Sequence, residues 1–170
     1  MSTPARFRGL SLTLALCAAL GLGACSKDSD LADASGFGAN GAGGVARPGS
    51  AQDFVVNVGD RVFFESDSTD LTPTATATLD KQASWLQRYP RYSFLIEGHA
   101  DERGTREYNY SLGARRAQTV QDYLASRGIS ASRMRTVSYG KERPVAVCND
   151  ISCWSQNRRA VSVLDGGAGS

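Results

Sequence analysis

Between Ser26 and Gln52 the chain carries six glycines from Gly36 to Gly49, set among Ala, Ser and Asp with almost no branched apolar residue. A segment of that composition cannot bury enough surface to offset the entropy of ordering it. Folding is therefore confined to the residues after Gln52. The sequence divides into a leader 1–24, a tether 25–52, a folded domain expected over 53–165 and a short flexible tail 166–170. A coil of some 27 residues has a reach of roughly 30 Å, so the domain can explore space around the point that holds the tether.

That point is legible at the N-terminus. Arg6 and Arg8 precede Leu10 to Leu20, an apolar run too short to cross about 30 Å of hydrocarbon as a permanent helix, and this is the pattern of a cleaved export signal. It ends in Leu22-Gly23-Ala24-Cys25, which resembles the lipobox of bacterial lipoproteins, where small residues precede a cysteine that is lipidated after cleavage. Cys25 is thus expected to be the first residue of the mature chain and its lipid anchor. Cys17 is disfavoured because bulky Leu16 precedes it. Stable anchoring needs more than one acyl chain, which a triacylated cysteine supplies. Ser26, not an aspartate, follows Cys25, and the sorting rules of lipoproteins then imply the outer membrane, with the domain facing the periplasm. An ordinary secretory signal is the alternative.

Charge and cysteine usage narrow the classes further. The formal charge of +2 includes Arg6 and Arg8 of the leader, so the mature chain is balanced, without the basic stripe of a nucleic-acid binder. Two cysteines remain beyond the leader and the anchor, Cys148 and Cys153. In an oxidising exported setting an even pair predicts a disulfide, here closing a short surface loop through 149–152. Zinc would need four nitrogen or sulfur ligands, and the chain has one histidine, His99. No metal or cofactor is expected.

Hydrophobic patterning gives the domain's elements. Phe54–Val56 and Arg61–Phe64 read as short strands around Gly59-Asp60. Thr72 caps a helix over 73–88, with Pro73 in its first turn and a stop before Pro90. Tyr92–Gly98 is an apolar strand; a polar turn from His99 to Arg106 leads into a helix over 108–126 that Gly128 ends. Met134–Val137 and Arg159–Leu164 are further strands, separated by a loop that holds the cysteines. This order predicts an α/β (α+β) sandwich, a mixed β-sheet with helices packed on one face.

The richest segment runs from Ile96 to Val120. Asp101 lies in a loop before a helix on which Asn109, Leu112 and Arg116 recur at spacings of three and four, on one face. Arg115 points about 100° away, toward solvent. A carboxylate that holds an ammonium, beside a guanidinium that holds a carboxylate in a two-pronged fork, suits a zwitterionic guest. An amino-acid head group, such as the free end of a diamino acid in a cell-wall peptide, carries both charges on one carbon. The blander uses are Asp101 as a turn residue and Arg116 as a solvated helix charge.

The run Ile96–Thr105, with Tyr108-Asn109, Leu112 and Arg115-Arg116-Ala117, joins Val62–Phe64, Val137–Pro144 and Asn157–Val161 in an order that resembles the OmpA-like peptidoglycan-binding domain. The resemblance covers about 54–164. It implies non-covalent binding of meso-diaminopimelate in peptidoglycan, with Asp101 taking the ammonium, Arg116 the carboxylate, and Asn109 and Leu112 completing the pocket. With the lipobox and tether it further implies the lipid-anchored branch, whose partners are TolB and TolA of the Tol system, TolB on a face that overlaps the wall site, and whose role is envelope integrity and outer-membrane constriction at cell division. The stator proteins that share the domain would need a retained membrane helix, and none follows Cys25. Glu65 and Ser66 depart from the Phe-Asp-Phe-Asp common in relatives, so the loop that borders the ligand is given no assigned contact.

An enzyme is not expected. No Gly-x-Ser-x-Gly is present, Asp101 and Glu102 are adjacent and point apart in extended chain, and His99 is expected to be a hydrogen-bonded loop residue. A wall hydrolase and a pure protein-interaction module are the competing classes.

Overall fold

A computed structural model describes residues 46–165. The expected leader, Cys25, most of the tether and the tail lie outside the described residues. Within them, four helices and four strands occur in the order α1 (Ala51–Asp53, continued by a π-helical turn Phe54–Val58), β1 (Arg61–Phe63), α2 (Pro73–Arg88), β2 (Phe94–His99), α3 (Arg106–Ser126), β3 (Met134–Gly140), α4 (Ile151–Asn157) and β4 (Arg159–Leu164). The sheet order is β1-β4-β2-β3. β1 and β2 each run antiparallel to β4, with Val62 opposite Ala160 and Ile96 opposite Ser162, whereas β3 is parallel to β2. The fold is the expected mixed α+β sandwich.

Local chemistry explains the elements. The Thr72 hydroxyl accepts the Ala75 N–H at 3.1 Å, and Pro73 opens α2 where an amide hydrogen has no partner. Thr105 caps α3 by accepting the Tyr108 N–H, so this helix begins two residues before the expected 108. It ends where Gly128 takes φ 89°, a left-handed conformation that glycine adopts without strain. Phe94 and Ile96 of β2, Leu79 and Leu86 of α2, and Ala117, Val120 and Leu124 of α3 form one core with Phe54 and Val62.

Four expectations are corrected. Phe54–Val56 is helical, not a strand. Of the three only Phe54 is buried, against Trp85, while Val55 and Val56 are exposed. Ser50 caps this helix, and Asp53 accepts from the Gly49 N–H and the Trp85 indole, so local capping and one aromatic anchor outweigh β propensity. Ordered contacts also begin before 53, since the Gly49 carbonyl accepts from Tyr92 and Arg91. Finally, 151–157 is helix where the sequence predicts a loop. Asp150 caps it by accepting the Ser152 N–H, and its second turn leads directly into β4. Strand β3 also runs three residues beyond 137.

The packing that matters most for the site is between β2 and α3. A Cβ on Gly98 would lie 1.9 Å from the Gly113 carbonyl oxygen. The helix backbone therefore rests directly on the end of β2, and this contact brings Asn109, Leu112 and Arg116 up to the loop that leaves the strand.

Candidate functional site

The loop 100–105 leaves β2 carrying Asp101, which is buried at 6% exposure. Its carboxylate accepts the Arg103 backbone N–H at 3.1 Å, Arg103 Nε at 3.1 Å and Nη2 at 2.6 Å, with Arg158 Nη1 at 3.5 Å. Burial pushes this carboxyl up, but the hydrogen bonds from Arg103 outweigh it and the pKa lies below the ordinary carboxylate value. Asp101 is therefore ionised at neutral pH. The Asn109 side-chain amide donates to the Arg103 carbonyl at 2.7 Å, tying the loop to α3. Gly104, at φ 87°, makes the reversal into the helix.

Arg116 differs from the expected free fork. It is fully buried, and its guanidinium donates to three backbone carbonyls: Ser68 at 3.0 Å, His99 at 2.8 Å and Glu65 at 3.1 Å. It also lies over the Phe64 ring. Three of five N–H groups are thus engaged in clasping the 64–68 loop to the end of β2. Burial, then neighbouring Arg158, pulls its pKa down to about 10, and it stays charged at neutral pH.

Asp101, Asn109, Leu112 and Arg116 nonetheless come together. They line one open cavity of about 220 Å³ with Ser66, Asp67, Arg103 and Tyr108. Arg115 is exposed on the far side of the helix. The residues that sequence reasoning missed are those that hold this cavity in shape. The Tyr108 hydroxyl donates to the Asp67 carboxylate, and Arg103 Nη2 donates to Ser66 Oγ at 2.9 Å. Arg103 could have been found, because an aspartate commonly accepts the backbone N–H two residues on. Arg158 could not: it lies 57 positions beyond Asp101, yet it holds both that carboxylate and, through Nε, the Phe64 carbonyl at 3.0 Å.

His99 departs from the expected hydrogen-bonded loop residue. It ends β2, its ring is 2% exposed, and neither ring nitrogen has a hydrogen-bond partner. Glu97 is 3.6 Å from Nε2, too far for a hydrogen bond, and Tyr139 stacks at 5.6 Å. Burial, then Arg159 and Arg143, lowers its pKa to about 4. The ring is neutral, and the residue serves the site through its carbonyl, which Arg116 holds.

Cys148 and Cys153 are joined by a disulfide that ties the preceding loop to the first turn of α4. Among the described residues no group of three or more His, Cys, Asp or Glu side chains is placed to hold a metal ion, and no helix is long and apolar enough to cross a membrane.

The OmpA family model matches residues 63–158. A peptidoglycan-associated lipoprotein of Rhizobium meliloti is 63% identical, covering 92% of this chain and 88% of its own. The corresponding lipoprotein of Pseudomonas aeruginosa is 44% identical over 89% of this chain and 94% of its own. The crystal structure of the peptidoglycan-associated lipoprotein from Burkholderia pseudomallei superposes with a TM-score of 0.64 at 37% identity, over 68% of this chain and all of that one. The C-terminal domain of Helicobacter pylori MotB, at 23% identity and a TM-score of 0.60 over 64% of this chain and 86% of that one, shares the fold alone.

Proposed function

From the premise that the chain belongs to the OmpA family, among its peptidoglycan-associated lipoproteins, we propose that the cavity around Asp101 binds the diaminopimelate end of peptidoglycan stem peptides. The observation that carries this is the convergence of a buried, ionised carboxylate and a buried guanidinium on one small cavity. Asp101 receives the ammonium, Arg116 the carboxylate, and Asn109 and Leu112 shape the wall between them.

The order of events is set by what holds Asp101. Its acceptor positions are occupied, and of the two arginines that occupy them Arg103 has its side chain 44% exposed and Arg158 only 6%. An incoming ammonium displaces the Arg103 side chain, while Arg158 and the Arg103 backbone N–H keep the carboxylate oriented. The exchange replaces one cation by another, so binding is reversible and leaves no buried charge unpaired. A carboxyl held below its ordinary pKa suits pairing with a cation, not donation of a proton.

In the full chain the lipid on Cys25 holds this domain to the outer membrane from the periplasmic side. The Tol-Pal partners TolB and TolA would then engage a wall-bound clamp that supports envelope integrity and constriction during division. Calorimetric titration with a stem peptide tests the ligand assignment. Charge-assisted hydrogen bonds are worth about 1.5–3 kcal/mol, so amidating the diaminopimelate side-chain carboxylate is expected to weaken binding by about tenfold or more. Equal affinity for the free acid and the amide overturns the two-charge assignment.

A further inference from the structure

The cysteine pair and α4 have no part in the Asp101 pocket, yet they reach it through one side chain. Cys153 is buried in the first turn of α4 and bonded to Cys148. The next residue, Trp154, donates its indole N–H to the Glu102 carboxylate, and its ring lies under the Arg103 guanidinium, 4.2 Å from centroid to Cζ. Arg103 is the side chain that covers Asp101.

The backbone of this loop is fixed without Trp154. Asn109 holds the Arg103 carbonyl, and Lys141 Nζ donates to the carbonyls of Glu102 at 3.2 Å and Gly104 at 2.7 Å. Asp101 keeps Arg158. What Trp154 adds is a resting place for a guanidinium. When a ligand ammonium displaces Arg103 from Asp101, the stacked ring keeps this cation at the cavity rim instead of releasing it to solvent. A cation held there is favourable only when the ligand also brings a carboxylate; against an ammonium alone it is a like charge with no partner.

We propose that Trp154, anchored by the Cys148–Cys153 disulfide, is a specificity-determining positioning residue that makes the pocket select zwitterion-ended wall peptides over ammonium-ended ones. This rests on the ligand assignment above. A partly exposed cation–π contact is worth about two- to fivefold in affinity.

The test measures binding of two stem peptides to the full chain held in detergent solution, one ending in diaminopimelate and one ending in lysine. The wild type prefers the diaminopimelate peptide. Trp154→Ala lowers that preference about two- to fivefold, by weakening the diaminopimelate peptide while leaving the lysine peptide unchanged or tighter. Trp154→Phe keeps a ring face and retains most of the preference. The double variant Cys148→Ser/Cys153→Ser lowers the preference as Trp154→Ala does, and adding Trp154→Ala to it changes nothing further. A purely structural role would weaken both peptides equally, and that result overturns the proposal, as does an unchanged preference in Trp154→Ala or additive effects of the disulfide and tryptophan changes. A wild type that shows no preference overturns the ligand assignment and this inference with it, whereas a preference retained in every variant overturns this inference alone.

Discussion

Acidification should destabilise this domain through one residue. The His99 ring is buried, both nitrogens lack hydrogen-bond partners, and the charges that face it are Arg143, Arg159 and the Glu97 carboxylate 3.6 Å from Nε2. Its pKa is lowered to about 4 from 6.5. Between those values the unfolded chain binds a proton that the folded chain refuses, so stability is complete above 6.5 and falls as pH drops toward 4. Integrating that difference gives a loss of about 2 kcal/mol between pH 7 and pH 5. The lowered carboxyls, Asp53, Asp101 and Asp150, depend on pH in the same direction but over a lower range. Their stabilisation is present above the ordinary carboxylate value and is lost only below the window used here. Urea unfolding followed by tryptophan fluorescence at pH 7, 6 and 5 measures the slope, and His99→Gln should flatten it. A variant that keeps the wild-type slope, or an imidazole that titrates near 6.5 in the folded protein by NMR, refutes the reasoning. The consequence reaches the pocket, because the His99 carbonyl is one of the three that Arg116 holds.

Two substitutions test the framework around the site. Gly98→Ala places a methyl 1.9 Å from the Gly113 carbonyl oxygen, which forces α3 away from β2. Overpacking of this kind costs roughly 1–3 kcal/mol, and a lower urea midpoint together with weaker wall binding is expected, since α3 carries Asn109, Leu112 and Arg116. Arg116→Lys retains the charge but cannot reach the carbonyls of Glu65, Ser68 and His99 together. Each buried acceptor left unpaired costs about 1–3 kcal/mol, so the denaturant midpoint should fall markedly even without ligand.

How much of the structure could be read from residues alone depends on the range of the interaction. Helix α2 was legible because Thr72, Pro73 and Pro90 punctuate an apolar stripe, and β2 because its apolar run is uninterrupted. The face shared by Asn109, Leu112 and Arg116 comes from the helical period, and Asp101 lies close enough in sequence to be placed beside it. Helix α1 is not legible in the sequence because Val55 and Val56 favour strands, and nothing local reveals that Asp53 is tied to Trp85. Helix α4 was missed although Asp150 is a recognisable cap, because a helix of seven residues is too short to give usable periodicity. The engagement of Arg116 by backbone carbonyls and the approach of Arg158 to Asp101 are long-range contacts, and no spacing rule encodes them. Sequence therefore brings Asp101, Asn109, Leu112 and Arg116 to one cavity, while the residues that brace them emerge only from the packing.

Whether Asp101 holds the ammonium of the wall ligand is tested most directly by sedimentation with purified peptidoglycan sacculi. Asp101→Asn preserves the shape of the side chain and removes its charge, and circular dichroism establishes that the variant is folded. If Asp101 holds the ammonium, the wild type pellets with sacculi and the folded Asp101→Asn protein remains in the supernatant. Equal pelleting of the two contradicts it.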